Sequence, residues 1–174
     1  MSTTPSVTRT LAAAAFLGLI ACGGSDSPAP DSGADAPAAA PAPAATVAGL
    51  NGEAEYQAVC AVCHQNDGNG MAGAFPPLTE SPIVTAATPD RLIATILKGM
   101  VGPITIKGVE YNGVMVAHEG TLSDEQIAAI TTYERSSWGH TASAVTPEKV
   151  AEVRASIASR TTSWTIEELE ATVP

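Results

Sequence analysis

Apolar positions divide the 174-residue chain into three stretches of different character. Leu11 to Ala21 is an unbroken, uncharged apolar run, whereas Gly23 to Thr46 holds nine Ala and five Pro and no large apolar side chain. From Val47 onward, apolar residues recur at helical spacing, and several helices mark their own starts. Thr88-Pro89-Asp90 places a capping hydroxyl, a first-turn proline and an acid ahead of Leu92, Ile93, Ile96 and Leu97, and Gly99 supplies a stop. Ser123-Asp124-Glu125-Gln126 is a capping box followed by Ile127, Ile130 and Tyr133. Thr146-Pro147-Glu148 opens a helix through Val150, Val153 and Ile157, and Thr165 with Glu168 starts a short last one. Strand-type alternation is scarce, so the pattern predicts an all-α domain with long loops from about Val47 to Pro174.

The run at 11–21 is shorter than the roughly 20 residues needed to cross a bilayer, and with Arg9 before it the segment reads as a secretory signal. It ends in Leu19-Ile20-Ala21-Cys22, which resembles the lipobox of bacterial lipoproteins. That resemblance implies cleavage before Cys22, acylation of its sulfur, and a mature protein held on the periplasmic side of a membrane by a lipid anchor. The alternative is an ordinary signal peptide, or a short buried helix, with an incidental cysteine. Residues 22–46 are then the lipidated cysteine and an extended linker, because an Ala/Pro segment without large apolar side chains cannot offset its ordering entropy. The expected organisation is a signal peptide at 1–21, a linker at 22–46, a core domain at 47–140 and a helical extension at 141–174.

Composition sharpens this picture. Apolar residues make up 45% of the chain but aromatics only 4%, so the core needs something large to fill it. Eight Lys and Arg against eighteen Asp and Glu give −10, which excludes a nucleic-acid binder and suits partners with a basic face. Loss of Arg9 with the signal would leave seven cations against eighteen anions, or −11. Three cysteines cannot all enter a disulfide framework.

Cys60-Ala61-Val62-Cys63-His64 supplies the large object. Two thiols three residues apart on a helical turn can both add to the vinyl groups of one haem, and the adjacent histidine then meets the iron. A thioredoxin-like pair would need a βαβ context, and a structural zinc site would need further ligands at suitable spacing; neither is visible. One lipid and two thioethers use all three thiols.

Around this motif the sequence resembles class I cytochromes c over most of residues 50–140. Gly52 and Tyr56 stand eight and four residues before Cys60, matched by Ile130 and Tyr133, and the resemblance implies a first helix crossing the last core helix closely. Phe75-Pro76-Pro77-Leu78 follows the motif, and the resemblance implies that the Pro76 carbonyl accepts from the histidine Nδ1 while Leu78 packs on the haem. Independently of family, a ligating histidine generally donates its second nitrogen to an oxygen. The implied fold is the class I cytochrome c fold: helices and long loops around one covalently attached haem c, with a C-terminal helical extension.

Met71, Met100, Met115, His118 and His140 are candidates for the sixth ligand. Gly108 to Met115, running into the capping box at Ser123, resembles the distal-ligand loop of small bacterial cytochromes c and selects Met115. Met71 and Met100 read as core filler, His118 as an exposed loop histidine in competition with Met115, and His140 as surface. Val116 replaces the proline usual in the family after the methionine, which implies a weaker or exchangeable bond. Tyr111 and Asn112 are candidates for the haem environment.

Met/His coordination fills both axial positions, which leaves single-electron transfer as the chemistry. No nucleophile, general base or substrate pocket is legible, so the expectation is a monomeric, membrane-tethered electron carrier rather than an enzyme. An electron-transfer subunit of a dehydrogenase or reductase, and a haem sensor or gas-binding protein with a labile Met115, are the alternatives. The Ser137-Trp138-Gly139 and Thr162-Ser163-Trp164-Thr165 stretches more weakly resemble cytochrome modules of periplasmic dehydrogenases and copper reductases.

Overall fold

The computed structural model describes residues 46–174, so the expected signal segment, Cys22 and the linker as far as Ala45 lie outside the described residues. A short pair of strands, β1 (Thr46–Val47) and β2 (Leu50–Asn51), leads directly into α1 (Gly52–Val59), which Asn51 caps by accepting from the Ala54 N–H at 3.1 Å. The brief helix α2 (Ala61–His64) continues from α1 through Cys60. Then come α3 (Asp90–Lys98), the antiparallel strands β3 (Met100–Ile106) and β4 (Val109–Met115), and α4 (Asp124–Ser136). The chain ends with α5 (Pro147–Ser156) and α6 (Ile166–Thr172).

Local capping sets most of these boundaries. Ser123 and Gln126 make both bonds of a capping box at α4, Thr165 and Glu168 do the same at α6, and Thr146 caps α5 with Pro147 in its first turn. Helix α3 departs from expectation. Pro89 occupies its cap position and no side chain caps it, while the Thr88 hydroxyl reaches the carbonyl of Pro174 instead. Arg91 beside it donates to the carbonyl of Val173 at 2.9 Å, so the side chains around the start of α3 are engaged by residues 173 and 174 rather than by the helix's own amides.

The all-α expectation needs correction at residues 100–115. The hairpin runs in register from Met100 opposite Met115 to Ile106 opposite Val109. Lys107 and Gly108 form its two-residue turn with φ of +53° and +74°, the hand that matches strand twist. Gly102 and Pro103 obscured the strand, because both break an apolar run. Proline is tolerated there because β3 is an edge strand, whose outward side has no continuous ladder to complete.

Helices α3 and α4 carry the centre of the core: Ile93, Leu97, Ile127, Ala128 and Ile130 are fully buried. Residues 141–174 join the same core rather than forming a body of their own, since Val150, Val153, Trp164 and Leu169 are buried in one cluster with those helices. At roughly 1.5–3 kcal/mol for each large apolar side chain buried, the extension contributes heavily to holding α3 and α4 together.

Candidate functional site

Helix α1 delivers Cys60 at its C-cap, and the amides of Cys63 and His64 both donate to the Cys60 carbonyl, at 3.2 and 3.0 Å. One turn of backbone therefore gathers the two thiols and the imidazole. Both cysteines are unpaired and half-buried, and burial is the largest influence holding the Cys60 thiol far up in its protonated form. The turn ends at Gln65, a non-glycine residue at φ +62°, whose carbonyl accepts from the Tyr56 hydroxyl at 2.7 Å. Tyr56 is fully buried and meets the rings of Tyr133 and Trp138 at centroid distances of 5.3 and 5.4 Å, which fixes α1 against α4.

The His64 Nδ1 lies 2.9 Å from the Pro76 carbonyl oxygen. A carbonyl can only accept, so Nδ1 carries the proton and Nε2 keeps a free lone pair. Burial lowers the histidine's proton affinity, opposed by this hydrogen bond, and the imidazole stays neutral as a metal ligand requires. The Gly70 amide donates back to the His64 carbonyl at 2.9 Å, tying the proline loop to the motif.

Met115 ends β4, half-buried between the exposed Val114 and Val116. Together with Leu78, Val59, Cys60 and Ile104 it packs on the margin of the main core, while Tyr111 of β4 is 5% exposed. A neutral imidazole on the same turn as two unpaired thiols is chemistry that suits a covalently held haem. Among the described residues, no group of three or more Cys, His, Asp or Glu is placed to hold a bare metal ion.

Residues 47–133, half of the chain, match the family described as cytochrome c oxidase, cbb3-type, subunit III. The chain is also similar to cytochrome c-552 of Thermus thermophilus, 42% identical over 89 residues that cover 49% of this chain and 67% of the relative. The chain belongs to the cytochrome c family. The cytochrome further resembles the cytochrome c subunit of a quinone alcohol dehydrogenase from Gluconacetobacter polyoxogenes, at 37% identity over 95 residues. A fructose dehydrogenase cytochrome subunit from Gluconobacter japonicus is 35% identical over 112 residues. Those matches take in 55% and 60% of this chain but only 20% and 22% of the two subunits. The cofactor of this cytochrome is covalently bound haem c, and its function is electron transfer: it is a carrier, not itself a catalyst.

Three secondary expectations change in the structure of the cytochrome. Met71 is 52% exposed and is not core filler, whereas Met100 is buried. His118 is half-buried rather than open to solvent, because its amide donates to the Ile96 carbonyl at 3.0 Å and draws the loop onto α3. His140 is likewise half-buried rather than freely exposed: its Nδ1 donates to the Glu134 carbonyl at 2.8 Å and its ring meets Trp138 edge-on.

One buried group was not singled out from sequence. Glu134 is 3% exposed, its Oε2 has no hydrogen-bond partner, and burial pushes its carboxyl up to about 8. It follows Ile130 by four residues, so the helical stripe that buries Ile130 buries Glu134 as well. The native carboxyl keeps its proton up to about pH 8, while the unfolded one releases it near 4.5. Stability is therefore greatest below the lower value and falls as pH rises through the window, by roughly 1.4 kcal/mol per unit from this group. In denaturant titrations of the holoprotein, Glu134→Gln is expected to flatten this decline between pH 5 and 8, and a variant that tracks the wild type would refute the assignment.

Proposed function

We propose that this cytochrome is a membrane-tethered, monomeric single-haem carrier in which Cys60 and Cys63 bind the haem covalently and His64 and Met115 ligate its iron. The bond between His64 Nδ1 and the Pro76 carbonyl supports this reading, because it leaves Nε2 free on the same backbone turn that carries two unpaired thiols. When bound, haem c supplies one-electron oxidation and reduction. The residues of the chain do the rest. Pro76 holds the imidazole in one tautomer and raises its basicity, and Leu78 and Tyr111 contribute to the haem environment.

Lipidation of Cys22, with residues 23–45 as a linker ahead of β1, would confine the carrier to the periplasmic side of a membrane and raise the effective concentration of partners there. Formal charge of −10 favours redox partners with a basic docking face and disfavours nucleic acid. Similarity to the dehydrogenase cytochrome subunits supports a second reading, in which the same domain is the electron-transfer subunit of a larger complex.

Cell fractionation tests the tether. Wild type is expected in the membrane fraction with haem attached, and Cys22→Ser in the soluble periplasmic fraction with an unchanged spectrum. Continued sedimentation of the variant with membranes would refute lipid anchoring.

A further inference from the structure

We infer that the C-terminal extension braces the methionine hairpin, with Trp164 as the positioning residue that keeps Met115 seated; this rests on the reading of Met115 as an iron ligand. Trp164 is 1% exposed and works at the junction between α3 and β3. Its amide donates to the Gly99 carbonyl at 3.0 Å and its carbonyl accepts from the Val101 amide at 2.8 Å, so it adds a one-residue parallel strand beside Met100. Its indole N–H donates to the Ala94 carbonyl of α3 at 3.1 Å. A single residue of the extension thus fixes the end of α3 to the start of β3.

Met115 seats against this fixed strip. Met100 is its register partner across the hairpin. Gly99, at φ +73°, lies so close beneath it that a Cβ there would stand 2.3 Å from the Met115 carbonyl oxygen and 3.0 Å from the Ala117 amide. The following loop is fastened to the same helix end by the Glu119 amide on the Leu97 carbonyl at 3.1 Å and by Lys98 paired to Glu119 at 2.7 Å. By contrast, Val116, the residue after the methionine, is 63% exposed and lends the loop little stiffness through packing. Restraint on Met115 therefore comes from the strip, and the strip is held by Trp164.

Trp164 is itself preset. The Arg160 guanidinium stacks 3.7 Å from the centre of its ring, donates to the carbonyls of Thr162 and Ser163 at 2.8 and 2.6 Å, and pairs with Glu168 at the start of α6. The extension thus presents an ordered residue to the edge of β3.

Full-length holoprotein distinguishes a brace from plain packing. The probes are the red-region sulfur-to-ferric charge-transfer band of the oxidised form and the rate of carbon monoxide uptake by the reduced form. Trp164→Ala is expected to lower about tenfold the concentration of added imidazole that bleaches the band and to speed carbon monoxide uptake roughly tenfold, as the ligand-free population grows. Trp164→Phe, which keeps an aromatic ring but not the indole N–H, and Arg160→Leu are expected to give smaller shifts in the same direction and keep the test available should Trp164→Ala fail to fold. Val153→Ala, which opens a cavity where α5 packs against α3 and α4 and removes none of the hydrogen bonds that Trp164 makes, is the control for destabilisation alone. If the Trp164 and Arg160 variants match Val153→Ala in both readouts, the brace is refuted while Met115 ligation stands. A wild type with no charge-transfer band would overturn the ligand reading, and the brace with it.

Discussion

Met115→Ala is expected to abolish the red-region charge-transfer band of the oxidised holoprotein and to lower its reduction potential on the order of 100 mV, while haem remains covalently attached. A thioether stabilises reduced iron, so its loss favours the oxidised state. The same variant should take up carbon monoxide rapidly when reduced, and wild type should be nearly inert, because the methionine must leave before another ligand enters. Met115 suits the role through a half-buried position at the end of β4, held in register with Met100. Two other outcomes are informative. A band that survives the substitution would exclude Met115, and rapid uptake by wild type would favour the sensor reading of a labile ligand. His118, three residues further on, is the candidate replacement, and a bis-histidine spectrum in the variant would identify it.

Gly52→Val is expected to cost about 3 kcal/mol or more, measured by denaturant unfolding of the holoprotein. A Cβ at Gly52 would stand 2.3 Å from the Ala129 carbonyl oxygen and 3.0 Å from the Tyr133 Cβ. The nearest atom belongs to the backbone of α4, which cannot turn aside as a long side chain would. Helix α1 would have to move, and with it Tyr56 and the Cys60 turn, so loss of stability should be accompanied by impaired haem attachment. Ala54→Val on the exposed side of the same helix should cost only its helix propensity, roughly 0.5 kcal/mol. Equal losses at the two positions would refute the close crossing.

The helices were legible because their signals are local. Ser123 with Gln126, and Thr165 with Glu168, satisfy the first amides of their own helices, Thr146 accepts from the Lys149 amide while Pro147 removes a donor that would need a partner, and all of these work within four residues of chain. The Cys60 to His64 turn is legible for the same reason, since one helical turn brings both thiols and the imidazole together wherever the rest of the chain goes. The hairpin was not legible. Its pairing depends on residues up to fifteen apart, from Met100 to Met115, and Gly102 and Pro103 are acceptable only because β3 lies at an edge. The α3 cap failed because Thr88 and Arg91 are engaged by the last two residues of the chain, a contact that no local pattern contains.

From the sequence alone follow the haem-attachment motif, the capped helices and an acidic carrier too poor in aromatics to fill its own core. These follow from covalent spacing, short-range hydrogen bonding and composition, none of which needs the chain to meet itself. Tertiary structure alone decided that no donor meets the Glu134 Oε2, that His118 and His140 are drawn partly inward, and that Trp164 completes the edge of the strand opposite Met115. Each of these depends on which distant segments exclude water from one another, a property of the packed chain that no spacing of residues along it encodes.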